Sequence, residues 1–142
     1  MKIEQVAEFM RAQKWAVVSS VSDAGTAQSA VIGIATSDRL EVVFDTLSSS
    51  RKAANLRARP QVSLVIGGLD GGEKTVQCEG IADLPSGEDL ERLKRAYYAA
   101  FPDGPSRLPW PGLIYVRVRL TWLRYSDFAD APPMIETFTL QP

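Results

Sequence analysis

Between Trp15 and Tyr125 the chain divides into six short β-patterned segments, the first three joined by tight turns. This succession limits the available folds more than any single motif does. Trp15 to Val21 is apolar and β-branched, and Ser22-Asp23-Ala24-Gly25 supplies what a hairpin turn demands before a second segment from about Ala27 to Ala35. Thr36-Ser37-Asp38-Arg39 turns the chain into Leu40–Asp45, where Leu40, Val42 and Phe44 alternate with Glu41, Val43 and Asp45. Gln61–Ile66, Lys74–Leu84 and Leu113–Tyr125 complete the set. Gly80 interrupts the fifth segment, which predicts a bulge or a bend at a barrel corner. In the sixth, Tyr115, Arg117, Arg119 and Thr121 fall on one side, and Ile114, Val116, Val118 and Leu120 on the other.

Helical spacing appears only in short stretches. Ile3, Val6, Phe9 and Met10, with Glu4, Gln5, Glu8 and Arg11 between them, predict an amphipathic helix over the first dozen residues. The hydroxyls of Ser48, Ser49 and Ser50 precede a run of helix formers that Pro60 ends. Ser86 with Asp89 reads as a capping box opening a helix through Ala100, and the Pro and Gly residues between Phe101 and Gly112 break it. Ile135 to Leu140 reads as an edge strand or a segment docked on a partner. A chain of 142 residues supports one core, so residues 1–142 are expected to form a single domain with 127–142 as a C-terminal tail. Its class is mainly β: a six-stranded antiparallel barrel whose ends and gaps are plugged by short helices.

Charge and composition remove several function classes. Sixteen Lys and Arg against 17 Asp and Glu leave a net charge of -1, so no global field draws the chain to nucleic acid or to an anionic membrane. The N-terminus lacks the apolar run of a secretory signal, and no stretch approaches the roughly 20 apolar residues of a membrane span. With Cys78 as the only cysteine, no intrachain disulfide forms, and a cytoplasmic address is the expectation. Cys78 itself reads as a buried structural thiol. Histidine is absent, which removes the commonest general base and metal ligand, and most hydrolase and metalloenzyme readings with them. The Gly67–Gly72 loop lacks the Lys-Ser/Thr ending of a nucleotide P-loop and reads as a hairpin connection.

The strongest chemical signal lies at the turn after the third segment. Three serines at a helix N-terminus offer hydroxyls and free N–H groups where the helix dipole favours an anion, and Arg51 and Lys52 add two positive charges. A guanidinium fork beside an ammonium suits a phosphomonoester. Taken alone, the commoner origin of such a run is a serine cap followed by solvated basic residues.

The run Val43-Phe44-Asp45-Thr46-Leu47-Ser48-Ser49-Ser50-Arg51-Lys52-Ala53, then Asn55-Leu56 and Pro60-Gln61-Val62-Ser63-Leu64, resembles the signature of the pyridoxamine 5′-phosphate oxidase-like flavoprotein family. The likeness extends in element order over roughly residues 3 to 126. It implies a split β-barrel of the FMN-binding type, working as a homodimer with flavin mononucleotide at the interface and a small-molecule substrate stacked on the ring. By the same resemblance, Arg51 and Lys52 would hold the flavin phosphate with help from Ser50, while Asp45 and Thr46 would lie along the flavin edge. The second strand from Ala30 to Gly33, Val31 and Ile32 included, would present its backbone to the ring. Thr75 or Gln77 would reach the cofactor from the other subunit, and Trp122, Arg124 or Tyr125 would close the site.

The family's true oxidases carry a basic pair flanking the second strand and a tail with Arg and His, whereas this chain has Ala30 and Ala35 at the matching places and no histidine. Vitamin oxidation is therefore not implied. The expected activity is a flavin-dependent oxidoreductase. Two alternatives stand beside it: a deazaflavin-dependent reductase of the same fold, for which Arg57 and Arg59 are the nearby cations, and a non-catalytic, stress-associated flavin- or ligand-binding protein.

Overall fold

The computed structural model describes residues 1–141. Among them, the order is α1 (Ile3–Ala12), β1 (Trp15–Val21), β2 (Ala27–Gly33), β3 (Ala35–Thr36), β4 (Glu41–Leu47), α2 (Arg51–Ala58), β5 (Gln61–Ile66), β6 (Lys74–Asp83), α3 (Gly87–Ala100), β7 (Leu113–Asp127) and β8 (Met134–Thr139). A single 3-10 turn, Gly104–Arg107, separates α3 from β7. The strands form one antiparallel sheet in the order β2-β1-β5-β6-β7-β4-β3, with β8 also paired to β7. The sheet curls around its core as a split half-barrel. No helix among the described residues is long and apolar enough to cross a membrane.

All six expected strands are present, and the sheet has two more. The second β segment is cut at Ile34, whose N–H bonds back to the Lys14 carbonyl at 2.8 Å. Before that point the chain pairs with β1, and after it Ala35 and Thr36 pair with Val43 and Val42 of β4. The tail forms β8 along the second half of β7, from Trp122↔Thr139 to Asp127↔Met134. Its edge-strand character was legible, whereas its partner within the same chain was not.

Alternation along each strand sends one set of side chains inward. Val18, Ile32, Phe44, Leu64, Val76, Val118 and Leu123 meet in the principal core, which Val6 and Met10 of α1 close from one end. The β4 strand is buried on both faces, because Val43 faces away from that core into a second cluster with Leu93, Tyr97, Phe101 and Tyr115 under α3. Gly80 does mark a bulge. Glu79 pairs with Trp122 and Gly80 with Leu120, leaving Thr121 as the extra residue, and a Cβ at Gly80 would run into the Arg119 carbonyl oxygen. Cys78 is buried in the core, and burial pushes its thiol up to about 12.

One local expectation fails. Ser86 precedes α3, but its side chain makes no capping bond. Asp89 turns instead toward Arg92 at 3.1 Å and Arg117 at 3.4 Å, because those guanidiniums offer a charged partner where the Ser86 backbone offers only a neutral N–H.

Candidate functional site

The N-terminus of α2 lies against the edge of the sheet formed by β1 and β2. Ser50 is the N-cap: its Oγ accepts from the Ala53 N–H at 3.2 Å and lies 3.1 Å from Thr46 Oγ1, which fastens the helix start to the end of β4. Arg51 and Lys52 follow and line a recess of about 130 Å³ whose other walls are Val18, Ser20, Gln28, Ser29 and Ala30. Among the described residues, neither cation makes an ion pair or a side-chain hydrogen bond. The structure thus brings together Ser50, Arg51, Lys52, Thr46 and the second strand.

Three residues that sequence reasoning missed hold this recess in shape. Asn55, buried on the inner face of α2, donates through Nδ2 to Ser20 Oγ at 3.0 Å and to Gln28 Oε1 at 2.9 Å. Ser20 and Gln28 are cross-strand partners, so one amide pins the helix to two strands at once. The signal available in the sequence was faint: an asparagine, a poor helix former, in the middle of a short helix.

Other expected residues lie elsewhere. Asp45 is occupied within the chain, its Oδ1 accepting from the Tyr97 hydroxyl at 3.1 Å and its Oδ2 from Arg107 Nε at 2.8 Å. Burial, then the charge of Asp45, push the Tyr97 hydroxyl up to about 12, which keeps it a donor at neutral pH. Ile32 belongs to the core, whereas Val31 is 64% exposed on the outer face of β2. Thr75 and Gln77 occupy the same outer face on β6, three strands from β2, and Gln77 sits between Val65 and Arg124 in register. Tyr125 is 2% exposed and packs edge-on against Phe9, so it is a core residue here; its neighbours Trp122 and Arg124 stack together on the outside.

The remaining charged cluster is internally balanced. Arg92 grips both oxygens of Glu41, and Arg117 forks onto Asp83 at 2.8 and 2.9 Å while also reaching Glu41. Burial pushes the Glu41 carboxyl up, but bonds from Arg92 and Ser37 and the positive charges around it prevail and hold it at about 2. Arg57 and Arg59 are likewise engaged: Arg57 donates to the Ser48 carbonyl, and Arg59 to Asp23 and the Val21 carbonyl. A larger recess of about 210 Å³ near Leu56, Ala82, Leu84 and Val116 is mainly apolar, and its two charged lining residues, Arg57 and Asp83, are engaged with the Ser48 carbonyl and with Arg117.

Fold and site together define an antiparallel split barrel with a cationic recess beneath a helix N-terminus. The chain belongs to the pyridoxamine 5′-phosphate oxidase family, whose model matches residues 3–124. No curated protein matches it. Among solved structures, a heme binding protein from Mycobacterium smegmatis superposes with a TM-score of 0.83 at 14% identity, covering 98% of this chain and 58% of that one. This chain therefore spans little more than half of that relative. General Stress Protein 26 from Bacillus anthracis gives 0.73 at 17% identity, with 99% and 100% covered. A pyridoxamine 5′-phosphate oxidase-related, FMN binding protein from Nostoc punctiforme gives 0.67 at 12%, with 99% and 96% covered. At such identities these likenesses establish the fold.

Proposed function

We propose that this chain binds flavin mononucleotide as a cytoplasmic homodimer and works as an oxidoreductase on a small substrate. The observation that carries the reading is the placing of two unengaged cations, Arg51 and Lys52, beside the polar side chains of Ser20 and Gln28 around one recess. The family and its FMN-binding member from Nostoc support the choice of cofactor. Arg57 and Arg59, which a polyanionic deazaflavin tail would need, are held by partners of their own, so the deazaflavin alternative loses support.

The fit is partial in one chain. A recess of about 130 Å³ takes a phosphate group, whereas sites that enclose a whole cofactor run to roughly 300–1,000 Å³. The ring therefore needs a second wall. The outer sheet face, where Val31, Val65 and Trp15 are exposed beside Thr75 and Gln77, supplies that wall when it comes from a second copy. Flavin, when bound, supplies the hydride chemistry, and the protein supplies orientation and electrostatics, so the missing histidine is no obstacle. Arg51 and Lys52 hold the phosphate, Ser50 and Thr46 fix the helix start that carries them, and Arg107 and Tyr97 hold Asp45 and the end of β4 in place.

The test is optical. Freshly purified protein, or protein titrated with flavin mononucleotide, should show the flavin absorbance band and lose it on adding reduced nicotinamide. A colourless protein that leaves flavin fluorescence unchanged refutes the reading.

A further inference from the structure

We propose that Asn55 fixes the hydrogen-bonding polarity of the recess, making Ser20 and Gln28 donors toward the ligand, so that the site selects an acceptor-only group, a doubly charged phosphate ester. The Asn55 amide nitrogen has two hydrogens, and both are used: one on Ser20 Oγ at 3.0 Å, one on Gln28 Oε1 at 2.9 Å. A serine oxygen that accepts in this way keeps its own proton to donate. A glutamine whose carbonyl accepts must turn its NH2 the other way.

Both groups line the recess, and among the described residues neither the Ser20 proton nor the Gln28 NH2 has an acceptor. Ser20 is 4% exposed, so its unused donor is not simply dissolved in water. A buried donor without a partner is costly, and a ligand oxygen is the partner this geometry leaves room for. The rest of the lining agrees. Arg51 and Lys52 only donate, Val18 and Ala30 are apolar, and the Ser29 hydroxyl is paired with Ser19 at 2.9 Å. No carboxylate side chain lines the recess. A sugar hydroxyl, which donates as well as accepts, or an ammonium, which only donates, finds little to donate to here. A phosphate dianion, all acceptors, matches every polar group present.

Naming the ligand as a flavin phosphate rests on the reading above, whereas the polarity argument needs only a phosphate group. The experiment separates them. Inorganic phosphate is titrated by NMR, following the Arg51 and Lys52 amides, and flavin mononucleotide and riboflavin by fluorescence, on wild type and on Ser20→Ala, Gln28→Met and Asn55→Asp. Ser20→Ala and Gln28→Met should each weaken both phosphate ligands about 10-fold, the loss of one hydrogen bond to a charged group, and change riboflavin by less than about twofold. Asn55→Asp, which replaces two donors with acceptors, should weaken them about 100-fold or more. Should Asn55→Asp fail to fold, the first two variants decide. Unchanged affinity for both phosphate ligands in Ser20→Ala and Gln28→Met overturns the polarity inference even when wild type binds flavin tightly. Wild type that binds inorganic phosphate with the expected sensitivities yet ignores flavin supports the inference and removes the flavin reading. A wild type that binds neither overturns both.

Discussion

Replacing Arg51 and Lys52 together by alanine isolates the charge of the recess from its shape. Neither side chain bonds to the rest of the protein among the described residues, so removing them should leave the melting temperature within about 2 °C of wild type, as for surface positions that contribute within ±0.5 kcal/mol. Their contribution to a bound phosphate is larger. A hydrogen bond to a charged group is worth about 1.5–3 kcal/mol, so two such contacts have a ceiling of about 3–6 kcal/mol. Arg51 is exposed and Lys52 only half-buried, so solvent screening lowers this to about 2–4 kcal/mol. That corresponds to a loss of about 30- to 700-fold in affinity for flavin mononucleotide. Riboflavin, with the same ring and no phosphate, should lose less than about threefold. Fluorescence quenching of both ligands, with and without 0.5 M salt, gives all the numbers required. Equal losses for the two ligands, or a melting temperature that falls with the flavin affinity, would refute the assignment of these cations to a phosphate.

Three further outcomes follow from the structure. Glu41 has a folded-state pKa of about 2, below its ordinary value, so its contribution is fully present above about pH 5 and is lost as pH falls toward 2; chemical denaturation should show a loss of order 2–3 kcal/mol over that window, and Glu41→Gln should abolish that part of the slope. Gly80→Ala should cost about 1–3 kcal/mol by forcing β6 away from the Arg119 carbonyl, measured as a lowered urea midpoint with unchanged slope; a neutral result would mean that the bulge is not tight. Val65→Glu, on the outer sheet face, should turn the proposed dimer into a monomer in sedimentation analysis while leaving phosphate binding to each chain intact, and a persistent dimer would exclude this face as the interface.

What the sequence made legible was local or periodic. Alternation in Leu40–Asp45, the Pro60 stop and the break at Gly80 each reflect a backbone preference acting over a few residues, and the strands, α2 and the bulge appear where those preferences put them. The reading of Asp45 had no such basis: its environment is decided by Arg107, 62 residues away, which takes the carboxylate into an intrachain pair. Asn55 is the same case in reverse, with partners 35 and 27 residues away. The Ser86-Asp89 spacing fits a capping box, yet two arginines bid for the aspartate more strongly than the serine does. Tyr125 differs by one step of a strand's alternation from the outward-facing Arg124, and a single-residue slip is enough to exchange a core side chain for a surface one.

The length of β7 bears on how the chain comes to fold in the first place. It lies between β6 and β4 and also pairs with β8, so a nascent polypeptide that has emerged only as far as Gly112 holds two separate β fragments, β2-β1-β5-β6 and β4-β3, each with a bare edge. Those edges wait for fifteen residues made after the strands of both fragments. Until the ribosome delivers them, the growing chain is open to pairing with its neighbours, and translation speed through that stretch sets how long the exposure lasts.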